Sequence, residues 1–364
     1  MSKPRDPIYP EGPTPDRSRV IDALEALHSR YSECHEGRIA DYIPELSKVD
    51  PNCFAISIVT VNGDVYEVGD SKQQFTIQSL SKPFTHAIAL EDHGREYVMQ
   101  RVGVEPSGDS FDSIIRLDAN NRPHNPMVNA GAIAVTSMIE GDNPQHRLNR
   151  MLDMFARTIG RMPTIDNAVF ESERTTGHRN RAMAHLILNF GIIDRDVEEV
   201  LDLYFKQCSI LVTAQDMAMM AATLANGGLN PKTSVRAVKQ EYIRDVLTIM
   251  HTCGMYNYAG EWAYTVGLPA KSGVSGGIIA VVPGQFGICV YSPPVDERGN
   301  SVRGIKVFEN LSRNSGMHVF ETWHQHGQVL NHIEEVKDPS PPIPNIVQPI
   351  GDATVHKRDL DLNN

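Results

Sequence analysis

Residues 53–68 read CFAISIVTVNGDVYEV. Cys53–Thr60 is a nearly unbroken run of apolar and β-branched residues, Val65–Val68 is a second run, and Asn62-Gly63 lies between them. An Asn-Gly pair between two such runs is the strongest short-range hairpin signal, because the tight turn that continues the strand twist needs positive φ at its centre. Two antiparallel strands are therefore predicted near the start of the chain. Strand character returns only near the other end, in Ile278–Val282 and Phe286–Tyr291. Between them Ser81–Leu90, Ala130–Met138, Arg147–Ile159, Asn180–Phe190, Val197–Phe205, Ala214–Ala225 and Val235–Met250 read as helices punctuated by Gly or Pro, with Asn226-Gly227-Gly228 a clear stop after Leu224. Strands from both ends with helices between them predict an α+β fold. One antiparallel sheet is built from both ends of the chain and flanked by helices, with a mostly helical subdomain inserted over about residues 95–255.

Outward from this frame the chain changes character. Pro4, Pro7, Pro10, Pro13 and Pro15 forbid helix and make residues 1–16 an extended arm. Asp16 then suits an N-cap for a helix whose buried face is Val20, Leu24, Leu27 and Tyr31. A last helix is expected near Arg303–Leu311, closing a domain of residues 17–314. Residues 315–364 carry His318, His324, His326 and His332 and the run PSPPIP ending at Pro344, a composition that reads as loosely ordered. His324-x-His326 has metal-ligand spacing, but no carboxylate or Cys pattern accompanies it, so no metal site is expected.

Composition excludes several classes. The 364 residues hold 34 Lys+Arg against 45 Asp+Glu, a formal charge of −11, and no Lys/Arg cluster supplies the counterion release that nucleic-acid binding requires. No apolar run approaches the ~18 residues of a membrane span. The first residues have no apolar segment behind their charges, so no secretory signal is read and a cytoplasmic protein is expected. Cys34, Cys53, Cys208, Cys253 and Cys289 form no C-x-x-C pair and read as small, mostly buried thiols.

Chemistry concentrates in FTIQSLSKPF, residues 75–84. Ser79 and Lys82 are three apart, so one helical turn brings them to the same face. A serine hydroxyl needs an adjacent base, and an amine of lowered pKa serves. A helix N-terminus adds free N–H groups for an oxyanion. Alone, the S-x-x-K pattern equally describes an N-cap serine followed by an exposed lysine. Lys271-Ser272-Gly273, directly before the strand-like Val274–Val282, strengthens the first reading: serine acyl-transfer enzymes with S-x-x-K carry K-T-G or K-S-G on an edge strand beside the nucleophile. The Val274 N–H then pairs with that of Ser79 as an oxyanion hole. No S-D-N or Y-x-N third element is evident. Tyr256 and Tyr42 offer phenols instead, able to shuttle protons if a nearby lysine depresses their pKa, or else ordinary half-buried tyrosines.

Four further blocks, NPMVNAGAI (125–133), LANGG (224–228), CGMY (253–256) and LPAKSGV (268–274), together with Gln78–Lys82, resemble the signature blocks of the serine-dependent glutaminases. The resemblance runs from about Ala40 to Ser312. It implies a β-lactamase/transpeptidase-like fold, in agreement with the pattern above, and no cofactor. By motif, Ser79 resembles the family's nucleophile, Lys82 its partner, Tyr256 its general base, Tyr42 a second active-site phenol and Val274 the oxyanion-hole amide. Asn129, Glu173, Asn180 and Tyr204 match positions that hold the amino-acid end of glutamine. These roles make physical sense, since an α-ammonium needs a carboxylate and an α-carboxylate needs neutral donors. The interior of Glu173–Asn180 departs from the more acidic version in animal members, and the tail after residue 315 has no recognised counterpart in short bacterial members.

The implied reaction is hydrolysis of L-glutamine to L-glutamate and ammonia through a γ-glutamyl ester on Ser79, and the implied assembly is a homodimer or homotetramer. Two rivals stand beside it. A β-lactamase-like or D,D-peptidase hydrolase uses the same S-x-x-K and K-S-G logic but predicts export. An amino-acid-sensing scaffold would keep the pocket without turnover, and has no need of Ser79, Lys82 and Tyr256 together.

Overall fold

A computed structural model describes residues 16–108, 117–321 and 329–332. It opens with helix α1 (Arg17–Ser32), capped by Asp16, whose Oδ1 accepts the Ser18 N–H at 3.0 Å, and buries Val20, Leu24 and Leu27 as the spacing predicts. The hairpin follows: β1 (Ala55–Thr60) pairs antiparallel with β2 (Val65–Gly69), turning at Gly63 with φ +90°. All six β1 residues are buried, which is why the run does not alternate between apolar and polar. Next come β3 (Phe75–Thr76), a 3-10 turn Gln78–Ser81, and α2 (Lys82–Arg101), which runs past its expected end after a break at Gly94, φ +78°.

The helical block comprises α3 (Asn129–Ser137), α4 (Pro144–Ile159), β4 (Thr164–Ile165), α5 (Asn167–Thr176), α6 (His178–Asn189), α7 (Val197–Cys208), β5 (Ile210–Val212), α8 (Ala214–Ala225) and α9 (Gln240–Cys253). The chain returns through α10 (Ala259–Thr265) to β6 (Ala270–Gly273), β7 (Gly277–Val282) and β8 (Phe286–Tyr291), and ends in α11 (Val302–Ser315). The main sheet has the order β2-β1-β8-β7-β6, all antiparallel. The last strand pairs with the first, from Ala55↔Tyr291 to Thr60↔Phe286. Both ends of the chain thus build one sheet, as expected, and β6 lies at its edge.

Strand alternation divides the interior. Ile56, Ile58, Ile278 and Val290 pack with α1, Trp262 and Phe308 on one side. Val59, Ile279, Val281 and Cys289 face α8 and the helical block on the other. Helix α8 is buried almost all round and approaches β8 closely enough that a Cβ on Gly287 would lie 2.2 Å from the Ala222 nitrogen.

Several expectations are corrected. The helix expected over Val235–Met250 starts only at Gln240, residues 235–239 continuing a turn in which the Asn230 side chain accepts the N–H groups of Lys232 and Thr233. The strand-like run from Val274 begins only at Gly277. Lys271-Ser272-Gly273 is itself strand β6, and 274–276 form the turn, with Gly276 at φ +96°. Helices α5 and α10 and the small sheet β3-β5-β4 were not anticipated. The arm before Asp16 and His324 and His326 lie outside the described residues. Within the tail, Val329 and Leu330 are buried and the Val329 N–H donates to Gln285 Oε1 at 2.8 Å. Among the described residues no helix is long and apolar enough to cross a membrane, and no cluster of three or more His, Cys, Asp or Glu is arranged to hold a metal.

The α8–β8 contact yields a stability prediction. Gly287→Ala forces a methyl group against backbone that has no room to give, so urea unfolding is expected to show a loss of about 3 kcal/mol.

Candidate active site

The turn that carries Ser79 is built by strand pairing followed by helix entry. The Ile77 N–H donates to Ile210 O at 2.8 Å, Gln78 turns the chain through φ +48°, and the 3-10 turn leads into α2 with Pro83 in its first turn. A left-handed conformation at a non-glycine residue costs on the order of 1–3 kcal/mol and persists where the surroundings enforce it. It leaves Ser79 half-buried at a helix start, where N–H groups lack intrahelical partners. The N–H of Val274, in the β6–β7 turn, meets no backbone carbonyl among the described residues.

Lys82 is buried beneath this turn. Its Nζ donates to Met127 O at 3.1 Å and to Asn129 Oδ1 at 2.7 Å. Burial pushes its pKa down to about 8, with Cys208 and Glu173 opposing. A neutral amine has two N–H bonds and one lone pair. With both N–H bonds taken, the lone pair is the position left for a proton.

Tyr256 reaches the site from the 3-10 turn Tyr256–Tyr258, also in the left-handed region at φ +55°. Its hydroxyl donates to Ser272 O at 3.2 Å and is hydrogen-bonded with Ser79. Burial pushes its pKa up to about 12 and the Ser79 bond pulls only partly against this, so a depressed phenol pKa is not found. A lysine does lie beside the ring, with Lys271 Nζ 4.1 Å from its centroid, yet burial and Lys82 hold that amine's pKa well below the usual lysine range.

The other walls come from the helical block. Asn129 begins α3, Glu173 lies on α5, Asn180 on α6 and Tyr204 on α7. Asn129 Nδ2 donates to Asn180 Oδ1 at 3.3 Å, and Gln78 Nε2 donates to Glu173 Oε1 at 2.8 Å. Glu173 is buried, and burial lifts its pKa to about 8 against the Gln78 bond and Lys82. Burial likewise holds the Tyr204 phenol well above its ordinary value. Tyr42, 52% exposed, closes the near side, its segment anchored where Ile43 and Leu46 pack on Val274.

These side chains enclose one cavity of about 380 Å³. Ser79, Asn129, Glu173, Asn180, Tyr204, Tyr256, Val274 and Tyr42 all line it, and Lys82 lies behind it on Asn129. Gln78 and Cys208 also line the cavity and were not anticipated as site residues. Gln78 stands directly before Ser79, but nothing in its spacing announces a left-handed backbone or a partner 95 positions away.

Comparison with known proteins then settles the family. The glutaminase family model matches residues 37–320. A glutaminase of Trichormus variabilis is 62% identical over 304 residues, covering 84% of this chain and 91% of its own length. The chain belongs to the glutaminase family. A glutaminase of Microcystis aeruginosa is 58% identical over 297 residues, 82% of this chain and 88% of that one. A solved structure described as a probable glutaminase has a TM-score of 0.81 at 41% identity, covering 84% of this chain and 99% of that chain. A structure of Mglu in its glutamate form has a TM-score of 0.79 at 39% identity, over 82% and 69% respectively. The protein is thus an enzyme that hydrolyses glutamine, on the α+β fold read from its strands.

The Glu173 environment fixes a pH dependence. A carboxyl group whose folded pKa is raised from 4.5 to about 8 holds its proton in the native state while the unfolded chain has lost it. Its contribution to stability is therefore full below pH ~4.5 and disappears as pH rises through about 8. Melting curves should show ligand-free protein losing stability over this window, and Glu173→Gln should lose markedly less.

Proposed function

We propose that this glutaminase works through a covalent γ-glutamyl ester on Ser79. The hydroxyl attacks the side-chain carboxamide carbon while its proton passes to the Lys82 lone pair, with the Tyr256 hydroxyl, bonded to Ser79, relaying it to the leaving nitrogen. The phenol keeps its own proton at neutral pH, so Tyr256 acts as a donor and relay rather than as a standing phenolate base. The N–H groups of Ser79 and Val274 receive the oxyanion, each worth about 3–4 kcal/mol in comparable sites. Ammonia leaves, and water then hydrolyses the ester to glutamate.

Glu173 takes the α-ammonium, whose positive charge on binding draws the carboxyl group's pKa back down so that it ionises, while Asn129, Asn180 and Tyr204 take the α-carboxylate and position the chain. Tyr42 covers the reacting end. The observation that carries the reading is convergence: residues from eight separate stretches of sequence line one cavity around Ser79. The sensing-scaffold alternative leaves unexplained why an amine would be buried behind a serine. A cytoplasmic setting and a homodimeric or homotetrameric assembly remain part of the proposal, the latter tested by light scattering of the purified protein.

Ammonia release from L-glutamine, with L-asparagine and a chromogenic β-lactam in parallel, tests the reaction. Ser79→Ala is expected to abolish turnover, and acid-quenched wild-type protein should carry a glutamyl group on the Ser79 peptide. Glutamine turnover that survives Ser79→Ala contradicts the mechanism. The kcat profile should rise with pH through about 8 as Lys82 loses its proton.

A further inference from the structure

The K-S-G block leaves a lysine that the mechanism does not use. In the pattern that suggested it, the block flanks the reacting groups, yet Lys271 is not among the residues lining the cavity. It is buried behind Tyr256, where the turn after α9 meets edge strand β6. The junction is close. A Cβ on Gly254 would lie 1.7 Å from Ala270 O, so only glycine lets the turn approach the strand. The Ser272 N–H donates to Gly254 O at 3.2 Å, and Lys271 Nζ donates to the same carbonyl at 2.9 Å. Lys271 Nζ also donates to Ser272 O at 2.6 Å, the carbonyl that accepts the Tyr256 hydroxyl at 3.2 Å.

One amine therefore braces the carbonyl two residues before Tyr256 and the carbonyl that receives its hydroxyl. Tyr256 needs such bracing, because its backbone is in the left-handed region that a non-glycine side chain adopts only when held there. We propose that Lys271 is the positioning residue for Tyr256, clamping its turn to the edge strand so that the phenol hydroxyl stays between Ser272 O and Ser79. The lysine of this block thus serves the proton relay and does not touch glutamine. The assignment rests on the relay reading given above. Consistent with it, burial and the neighbouring Lys82 disfavour charge on Lys271, and the two N–H bonds of a neutral amine match its two carbonyl acceptors.

A double-mutant cycle tests it, because a positioning role and a merely structural one differ in additivity. Lys271→Met conserves volume and removes both donated bonds, and melting curves and circular dichroism check that the variant folds. On the full chain with L-glutamine, kcat is expected to fall about 10- to 100-fold with KM changed less than about twofold, a part of the roughly 100- to 10,000-fold that positioned proton transfer supplies. Tyr256→Phe should lower kcat at least as far. In the Tyr256→Phe background, Lys271→Met should then cost less than about threefold, since the hydroxyl it positions is gone. Full additivity of the two losses, or a rise in KM with kcat kept, overturns the assignment. Should Lys271→Met not fold, Lys271→Leu, which also removes both donated bonds, enters the same cycle with the same expectations. A Tyr256→Phe protein with wild-type kcat would instead overturn the relay reading itself, so the two failures are distinguishable.

Discussion

Taking an amine out of water costs free energy unless the protein supplies partners, and much of this molecule is arranged around the two bonds that hold Lys82. Met127 O and Asn129 Oδ1 accept from it at 3.1 and 2.7 Å. Both acceptors lie at the entry to α3, so the start of that helix also seats the buried amine. Asn129 in turn bonds Asn180 on α6, and Glu173 on α5 is held by Gln78, the neighbour of Ser79. The buried lysine is therefore tied through Asn129 to Asn180, while a separate bond ties Glu173 to the turn that carries Ser79.

The main sheet supplies the opposing wall. Because β8 lies between β1 and β7, the hairpin near the start of the chain fixes where edge strand β6 falls, and with it Val274 and the docking surface for Tyr256. Two non-glycine residues in the left-handed region, Gln78 and Tyr256, flank Ser79 from the two halves of the structure. Backbone strain at both is maintained by packing, as expected where geometry serves chemistry. Tyr256 and Ser79 are consequently set by elements far apart in sequence, and an intact sheet is needed to bring them together.

How much of this was legible in the sequence depends on the kind of signal. Asn62-Gly63 marks its hairpin because the turn chemistry is local, and the α1 face is plain in Val20, Leu24 and Leu27. Helix α5, NAVFESERTT, buries only Val169, Phe170 and Glu173, so apolar periodicity has little to register and a site carboxylate sits where an apolar residue would be expected. The seven residues of α10 are too few to show a period. Strands β3, β4 and β5 hold two or three residues each and exist only through their pairing. The candidate residues are legible through motif resemblance, and the cavity gathers them, but spacing alone does not place Lys271 behind the Tyr256 ring or decide between a depressed and an ordinary phenol pKa. Both depend on desolvation and side-chain direction, which no spacing rule carries.

The central claim is that the fold makes Lys82 a base by burying it as an amine with both N–H bonds engaged. Its titration is read directly from the side-chain 13Cε shift of labelled lysine in the ligand-free protein, assigned with Lys82→Met. The account predicts a midpoint near 8. A midpoint near 10.5, the value of an ordinary solvated lysine, would contradict it.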